Sequence, residues 1–203
     1  MFGVWSSLLI DWLGIVLAGW TIKLMDDWLD VEYDQCIGRQ TLASRLGRAN
    51  LPYGLLGLGL AMAIAPGVAL TLFLTAYALG MGHDLRERMP TRFPGWLESI
   101  LALGLAVWYA GPMLAGWALA VMTMIQLLDD LMDHHNDRRS GQNNWAIRFG
   151  FVEAALAMFI CALAAVLLEP WKTAEVLVAL PVVHVLMSLF GGLFVRRERR
   201  EGA

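Results

Sequence analysis

Apolar residues in this chain gather in seven blocks, at about 4–25, 51–65, 67–83, 96–110, 113–129, 145–168 and 173–195. A helix that crosses a bilayer needs roughly 20 mostly apolar residues. The pattern therefore predicts an all-α fold, a polytopic transmembrane helix bundle of about seven spans, with residues 1–203 forming a single domain. Pro66-Gly67, Gly111-Pro112 and Glu169-Pro170 predict tight turns between successive spans. The remaining connections are longer and charged.

Composition points the same way. Hydrophobic residues make up 58% of the chain and charged ones only 16%. A soluble domain is nearer half apolar and a quarter charged, so too little polar surface is present to coat a water-soluble globule. The bilayer is the expected partner, and nothing predicts a nucleic-acid one. The first block contains Asp11 and Lys23 and has no basic leader. It reads as a membrane helix rather than a cleaved signal. Cys36 and Cys161 lie far apart and are expected to be free thiols.

The distribution of charge sets the orientation. Arg39, Arg45 and Arg48 follow the first block. Arg86, Arg88 and Arg92 follow the third, and Arg138, Arg139 and Arg148 follow the fifth. Arg196, Arg197, Arg199 and Arg200 follow the seventh. Alternating spans place all these connections on one side, with only Lys172 opposite. The positive-inside rule then puts the arginine-rich side and the C-terminus in the cytoplasm and the N-terminus outside, for a multi-pass protein of the cell membrane.

The chain also repeats itself at an offset of 103 residues. Leu24 to Gly47 reads LMDDWLDVEYDQCIGRQTLASRLG, and Leu127 to Gly150 reads LLDDLMDHHNDRRSGQNNWAIRFG. Nine of the 24 positions are identical, including four aspartates, Ala43 with Ala146 and Arg45 with Arg148. Four spans separate the copies, so both are expected on the same membrane face.

Eight of the ten aspartates lie in these copies: Asp26, Asp27, Asp30 and Asp34, then Asp129, Asp130, Asp133 and Asp137. In a continuing helix, steps of three and four put Asp27, Asp30 and Asp34 on one face, and Asp130, Asp133 and Asp137 likewise. Crowded carboxylates repel unless a cation lies among them, and ionisable groups at the end of an apolar span are costly and usually functional. All-oxygen sites suit hard cations. Mg²⁺ takes one or two carboxylates and fills its shell with water and substrate phosphates. Two such clusters facing one another would hold a diphosphate through magnesium. Lys23, Arg39, Arg45, Arg86, Arg138 and Arg148 are the candidates for its remaining charge. Lys23 serves equally well as a salt-bridge partner one turn from the acids. Asp27, Asp30, Asp130 and Asp133 are the expected catalytic acids.

Other features carry the plainer reading. His134 and His135 are expected to be exposed, and His184 to be a satisfied core residue. Gly54 through Gly59 to Ala61 reads as close helix packing rather than a phosphate loop.

DDWLDVEYD, from Asp26 to Asp34, resembles the (N/D)DxxDxxxD motif of the UbiA superfamily of intramembrane prenyltransferases. DHHNDRRSG, from Asp133 to Gly141, resembles that family's DxxxDxxxG element. NWAIRFG and TLASRLG resemble the TLAVRLG stretch that often follows. The likeness is specific over about 50 residues. It implies a helical bundle in which these aspartates hold magnesium and a prenyl diphosphate. The diphosphate ionises and the prenyl group passes to an aromatic or lipid acceptor. Arg39 stands where the family often has a basic residue, and Arg86 loosely where a basic pair follows a tyrosine-bearing helix. Family members usually have about nine spans. Two fewer leave room for a long lipid acceptor or for closure by a second copy in a homo-oligomer. A terpene cyclase of the same fold and a divalent-cation channel or transporter are the competing readings.

Overall fold

The computed structural model describes residues 2–36, 38, 40–80, 91–140 and 144–201, without the side chains of residues 2–7, 33, 139–140 and 192–201. Every element among them is helical. In chain order they are α1 (Phe2–Leu29), α2 (Val31–Cys36), α3 (Leu42–Leu46), a 3₁₀ turn (Gly47–Ala49), α4 (Asn50–Ile64), α5 (Pro66–Gly80), α6 (Gly95–Ser140), α7 (Trp145–Phe149), α8 (Phe151–Leu168) and α9 (Pro170–Glu201).

Among the described residues, four stretches are long and apolar enough to cross a membrane: Leu8–Leu29, Gly95–Arg138, Phe151–Leu168 and Pro170–Gly191. α6 is two arms, because Gly111 leaves helical geometry (φ 84, ψ 162). Pro112 follows it, and a proline that starts a helix loses no backbone bond. The turn expected at Gly111-Pro112 is therefore a break between arms. α4 and α5 have 15 residues each, a rise of about 22 Å. Ile160 and Leu167 on α8 are 68% and 74% exposed. Such side chains would be costly in water and cost nothing against lipid.

Two expectations need correcting. The block at 145–168 is not one helix. Gly150 takes φ 110 and ψ 145, open to glycine alone, and divides α7 from α8. His184 is exposed rather than in the core, although its Nδ1 lies 3.0 Å from the carbonyl of Leu180.

The chain forms two compact units, residues 1–69 with 175–203, and residues 70–174. In the first, α4 packs back on α1 through small residues. Gly54, Gly57 and Ala61 are buried. A Cβ on Gly57 would stand 2.5 Å from Thr21 Oγ1, and one on Gly14 would stand 2.5 Å from Ala65 Cβ. The glycines thus set the helix spacing, as expected of the stretch from Gly54 to Ala61. Gly59 is the exception, with nothing within 4 Å. Ala18, Ala61 and Ala69 form the core there, with Leu17 and Met62 against it.

In the second unit α8 packs back on α6, and α7 touches both. Leu127, Ala146 and Ala154 form its core, with Leu131, Trp145 and Met158 around it. Trp117, fully buried, donates from Nε1 to Thr173 Oγ1 at 3.0 Å. Thr173 in turn donates to the carbonyls of Ala165 and Glu169. Both carbonyls also accept a backbone N–H, from Glu169 and Thr173 respectively, so the Trp117–Thr173 pair adds a further link where α8 ends and α9 begins at Pro170.

Candidate functional site: two acid-bearing helix ends

In the first unit the acids occupy the α1–α2 junction. The break at Asp30 is slight, because Asp30 N–H donates to the Asp26 carbonyl at 3.2 Å and Asp34 N–H to the Asp30 carbonyl at 2.8 Å. Helical spacing therefore continues through all four acids, and the shared face expected for Asp27, Asp30 and Asp34 follows from it. Lys23 lies one turn earlier and reaches two of the acids, Asp26 at 3.2 Å and Asp27 at 3.1 Å. Asp26 is exposed, Asp27 and Asp30 are half-buried, and Asp34 is buried. Burial, and then the neighbouring charges of Asp26 and Asp34, push the Asp30 carboxyl up to about 6, with Lys23 opposing them. Burial and like-charge crowding thus both disfavour the ionised form of Asp30.

In the second unit the acids lie within the last turns of α6, not in a loop after it. Asp130 and Asp137 are buried, and Asp129 and Asp133 are half-buried. Asp130 accepts from Gln126 Nε2 at 3.4 Å on Oδ1, and from the backbone N–H of Trp145 at 2.9 Å on Oδ2. Gln126 stands where Lys23 stands in the first copy, so each acid pair receives a donor from one turn earlier. Asp137 accepts from Asn144 Nδ2 at 2.7 Å, and Asp133 from Asn136 Nδ2 at 3.5 Å.

After each acid set the chain forms the same small device. α3 and α7 have five residues each, and their bounds differ by 103 positions. Thr41 caps α3 by accepting from the N–H of Ser44. Asn144 caps α7 by accepting from the N–H groups of Ala146 and Ile147. A side-chain cap of this kind contributes about 1 kcal/mol. Each helix stops at a glycine with positive φ, Gly47 (φ 51) and Gly150 (φ 110). The glycine N–H donates to the carbonyl of Ala43 or Ala146, the buried alanine of each copy.

The candidate cations fall into separate places. Lys23 is among the acids. Arg45, on α3, is half-buried and donates to Gln40 Oε1 at 2.7 Å, and its Nε is buried with no partner. Arg148, on α7, is exposed, with its guanidinium 5.4 Å from the centre of the Phe149 ring. Arg138 is exposed. Arg39, Arg86 and Gly141 lie outside the described residues. His135 is exposed as expected, whereas His134 is half-buried and packs edge-on to Phe151, ring centres 5.6 Å apart.

Sequence reasoning passed over two groups. Asn144 enters the sequence reading only as the first residue of NWAIRFG, although an Asn before an apolar run is also a cap signal. Tyr77, Thr91 and Glu98 also come together: both hydroxyls donate to the buried Glu98 carboxylate, Tyr77 to Oε2 and Thr91 to Oε1. Ser99 donates to the Ala78 carbonyl beside them. No spacing rule links residues 77 and 98, so only the fold reveals that cluster.

Among the described residues, no group of three or more His, Cys, Asp or Glu side chains is close enough to hold a metal ion. The donor set nevertheless suits magnesium, being all carboxylate oxygen, and magnesium needs only one or two such ligands from the protein. No protein-family model, curated protein or solved structure matches the chain.

Proposed function

We propose that this protein is a magnesium-dependent prenyltransferase of the UbiA type, acting within the cell membrane. Its seven spans would be α1, α4, α5, the two arms of α6, α8 and α9. The acid-bearing ends would face the cytoplasm, as the arginine distribution requires. The observation that carries the reading is the twofold occurrence of four aspartates at identical spacing, each set at the end of a long apolar helix and each followed by a capped five-residue helix with an arginine at the same position. An internal duplication that preserves the acids and the basic residue is what binding a polyanion through cations requires.

Magnesium, when bound, neutralises the charge that develops on the departing diphosphate. The chain's own residues do the rest. The aspartates at α1–α2 and at the end of α6 would supply the ligands. Lys23 would balance the first set, and Arg45 and Arg148, one after each set, would contact phosphate oxygens. The bond between the prenyl C1 and the diphosphate oxygen breaks with its electron pair going to oxygen. The allylic cation is captured by a nucleophilic carbon or oxygen of an aromatic or lipid acceptor, which then loses a proton to solvent. The apolar helices shelter the prenyl chain, and excluding water prevents hydrolysis of the cation.

Pyrophosphate release from geranylgeranyl diphosphate tests the reading. The purified protein in lipid nanodiscs is assayed with Mg²⁺, with EDTA, and as Asp30→Asn and Asp133→Asn variants. Hydroxybenzoate, dihydroxynaphthoate and glycerol phosphate lipids are offered in separate arms. Release that requires Mg²⁺, the aspartates and one acceptor supports the transferase. Release without acceptor, yielding a cyclic hydrocarbon, replaces it with a cyclase. No release across prenyl lengths, with cation binding intact, favours cation handling.

A further inference from the structure

Asn144 is 4% exposed and uses its whole amide. Oδ1 accepts from the N–H of Ala146 at 2.7 Å and of Ile147 at 3.1 Å. Nδ2 donates to the Asp130 carbonyl at 2.7 Å and to Asp137 Oδ2 at 2.7 Å. An amide offers two donors and one acceptor oxygen with two lone pairs, so all four positions are filled. A cap needs only the two bonds to Oδ1. The other two run backwards into the acid set, one to the backbone of the second acid and one to the carboxylate of the fourth. Trp145, the next residue, adds its backbone N–H to Asp130 Oδ2 at 2.9 Å. Residues 144 and 145 thus hold two of the four acids from behind, while the same cap fixes the helix that carries Arg148.

The first copy lacks this arrangement. Thr41 occupies the corresponding position and caps α3 through the Ser44 N–H at 3.3 Å. A threonine hydroxyl has a single donor on a short side chain, and cannot both cap a helix and span to a carbonyl and a carboxylate as the Asn144 amide does.

We infer that Asn144 is a positioning residue for the second acid set, fixing Asp137 and the Asp130 backbone in place so that this set is pre-ordered for a cation. The inference rests on the proposed magnesium chemistry. Partners behind metal ligands typically account for 10–100-fold in metal affinity, because a ligand already oriented loses less freedom on binding.

The copies supply their own control. Asn144→Thr installs the cap of the first copy and removes both backward bonds. Asn144→Ala removes the cap as well. Mn²⁺ serves as the probe, titrated by electron paramagnetic resonance against the full-length protein in nanodiscs, without substrate. Thermal melts followed by circular dichroism report folding. The expected result for Asn144→Thr is a melt near that of the parent and Mn²⁺ affinity weaker by about 10–100-fold. Asn144→Gln, which keeps the amide one methylene further out, should recover part of the affinity, and Thr41→Ala should leave it within a few-fold. Unchanged Mn²⁺ affinity in Asn144→Thr, with or without a lower melting temperature, overturns the inference and leaves the proposed function standing. Absence of Mn²⁺ binding by the parent overturns both.

Discussion

Asp30 offers a test in which removing a proposed catalytic acid should make the protein more stable. Its carboxyl is pushed from 3.8 up to about 6, first by burial and then by Asp26 and Asp34. A raised carboxyl pKa means that the folded chain binds the proton more tightly than the unfolded one, so stability falls as pH rises through the interval from 3.8 to 6. At 1.36 kcal/mol per pKa unit, a shift of about two units corresponds to about 3 kcal/mol. The side chain is only half-buried, and solvent screening reduces this to roughly 1.5 kcal/mol. Asn has the same shape without the charge, so Asp30→Asn should recover that energy at pH 7.5 in EDTA. For a chain of this length the gain corresponds to about 3–6 °C in melting temperature. The assay is a thermal melt in detergent by circular dichroism, from pH 3.5 to 8, with EDTA or Mg²⁺. The gap between variant and parent should be full above pH 6.5, narrow through pH 5 and close below about pH 3.8. Magnesium should stabilise the parent and shrink the gap. A variant that melts no higher than the parent in EDTA, or a gap that persists unchanged at pH 3.5, would refute the charge argument.

Packing and backbone geometry give further tests. Gly14→Ala forces a Cβ to within 2.5 Å of Ala65 Cβ. It should cost about 1–3 kcal/mol in reversible unfolding, whereas Gly59→Ala, with nothing within 4 Å, should be neutral or slightly stabilising. Trp117→Phe removes the donor to Thr173 and should cost about 1–3 kcal/mol by the same measurement. Gly150→Ala imposes φ 110 on a residue with a Cβ, so a destabilisation of about 1–3 kcal/mol is expected. Its displacement of α7 should appear as altered fluorescence of Trp145.

Much of this architecture can be read from residue order because membranes impose simple rules. The long apolar helices fall on predicted blocks, whereas α4 and α5 reach only 15 residues each, and the steps of three and four between the acids survive as helical register through the α1–α2 junction. The five-residue helices could not be seen. α7 is hidden in an apolar block, and its boundaries are set by Asn144 and Gly150, whose significance is conformational rather than hydropathic. The contact between Lys23 and two acids was foreseeable from helix spacing. The bonds from Asn144 to Asp130 and Asp137 were not, because Asn144 lies beyond the end of α6 in an extended conformation (φ −140, ψ 128), outside any helical spacing. The Glu98 cluster joins side chains 21 positions apart along the chain, beyond the reach of any local pattern.

The composition of the first unit has a consequence for biosynthesis. It joins residues 1–69 to residues 175–203, and Val183 of α9 lies over Gly19, where an added Cβ would stand 3.4 Å from its Cγ2. Helix α1 is made before Val183 of α9, with the whole of the second unit between them in the chain. Until α9 is made, the Gly19 face of α1 lacks Val183 and must meet lipid or a chaperone instead. The first unit is therefore completed only after the chain of the second has been laid down.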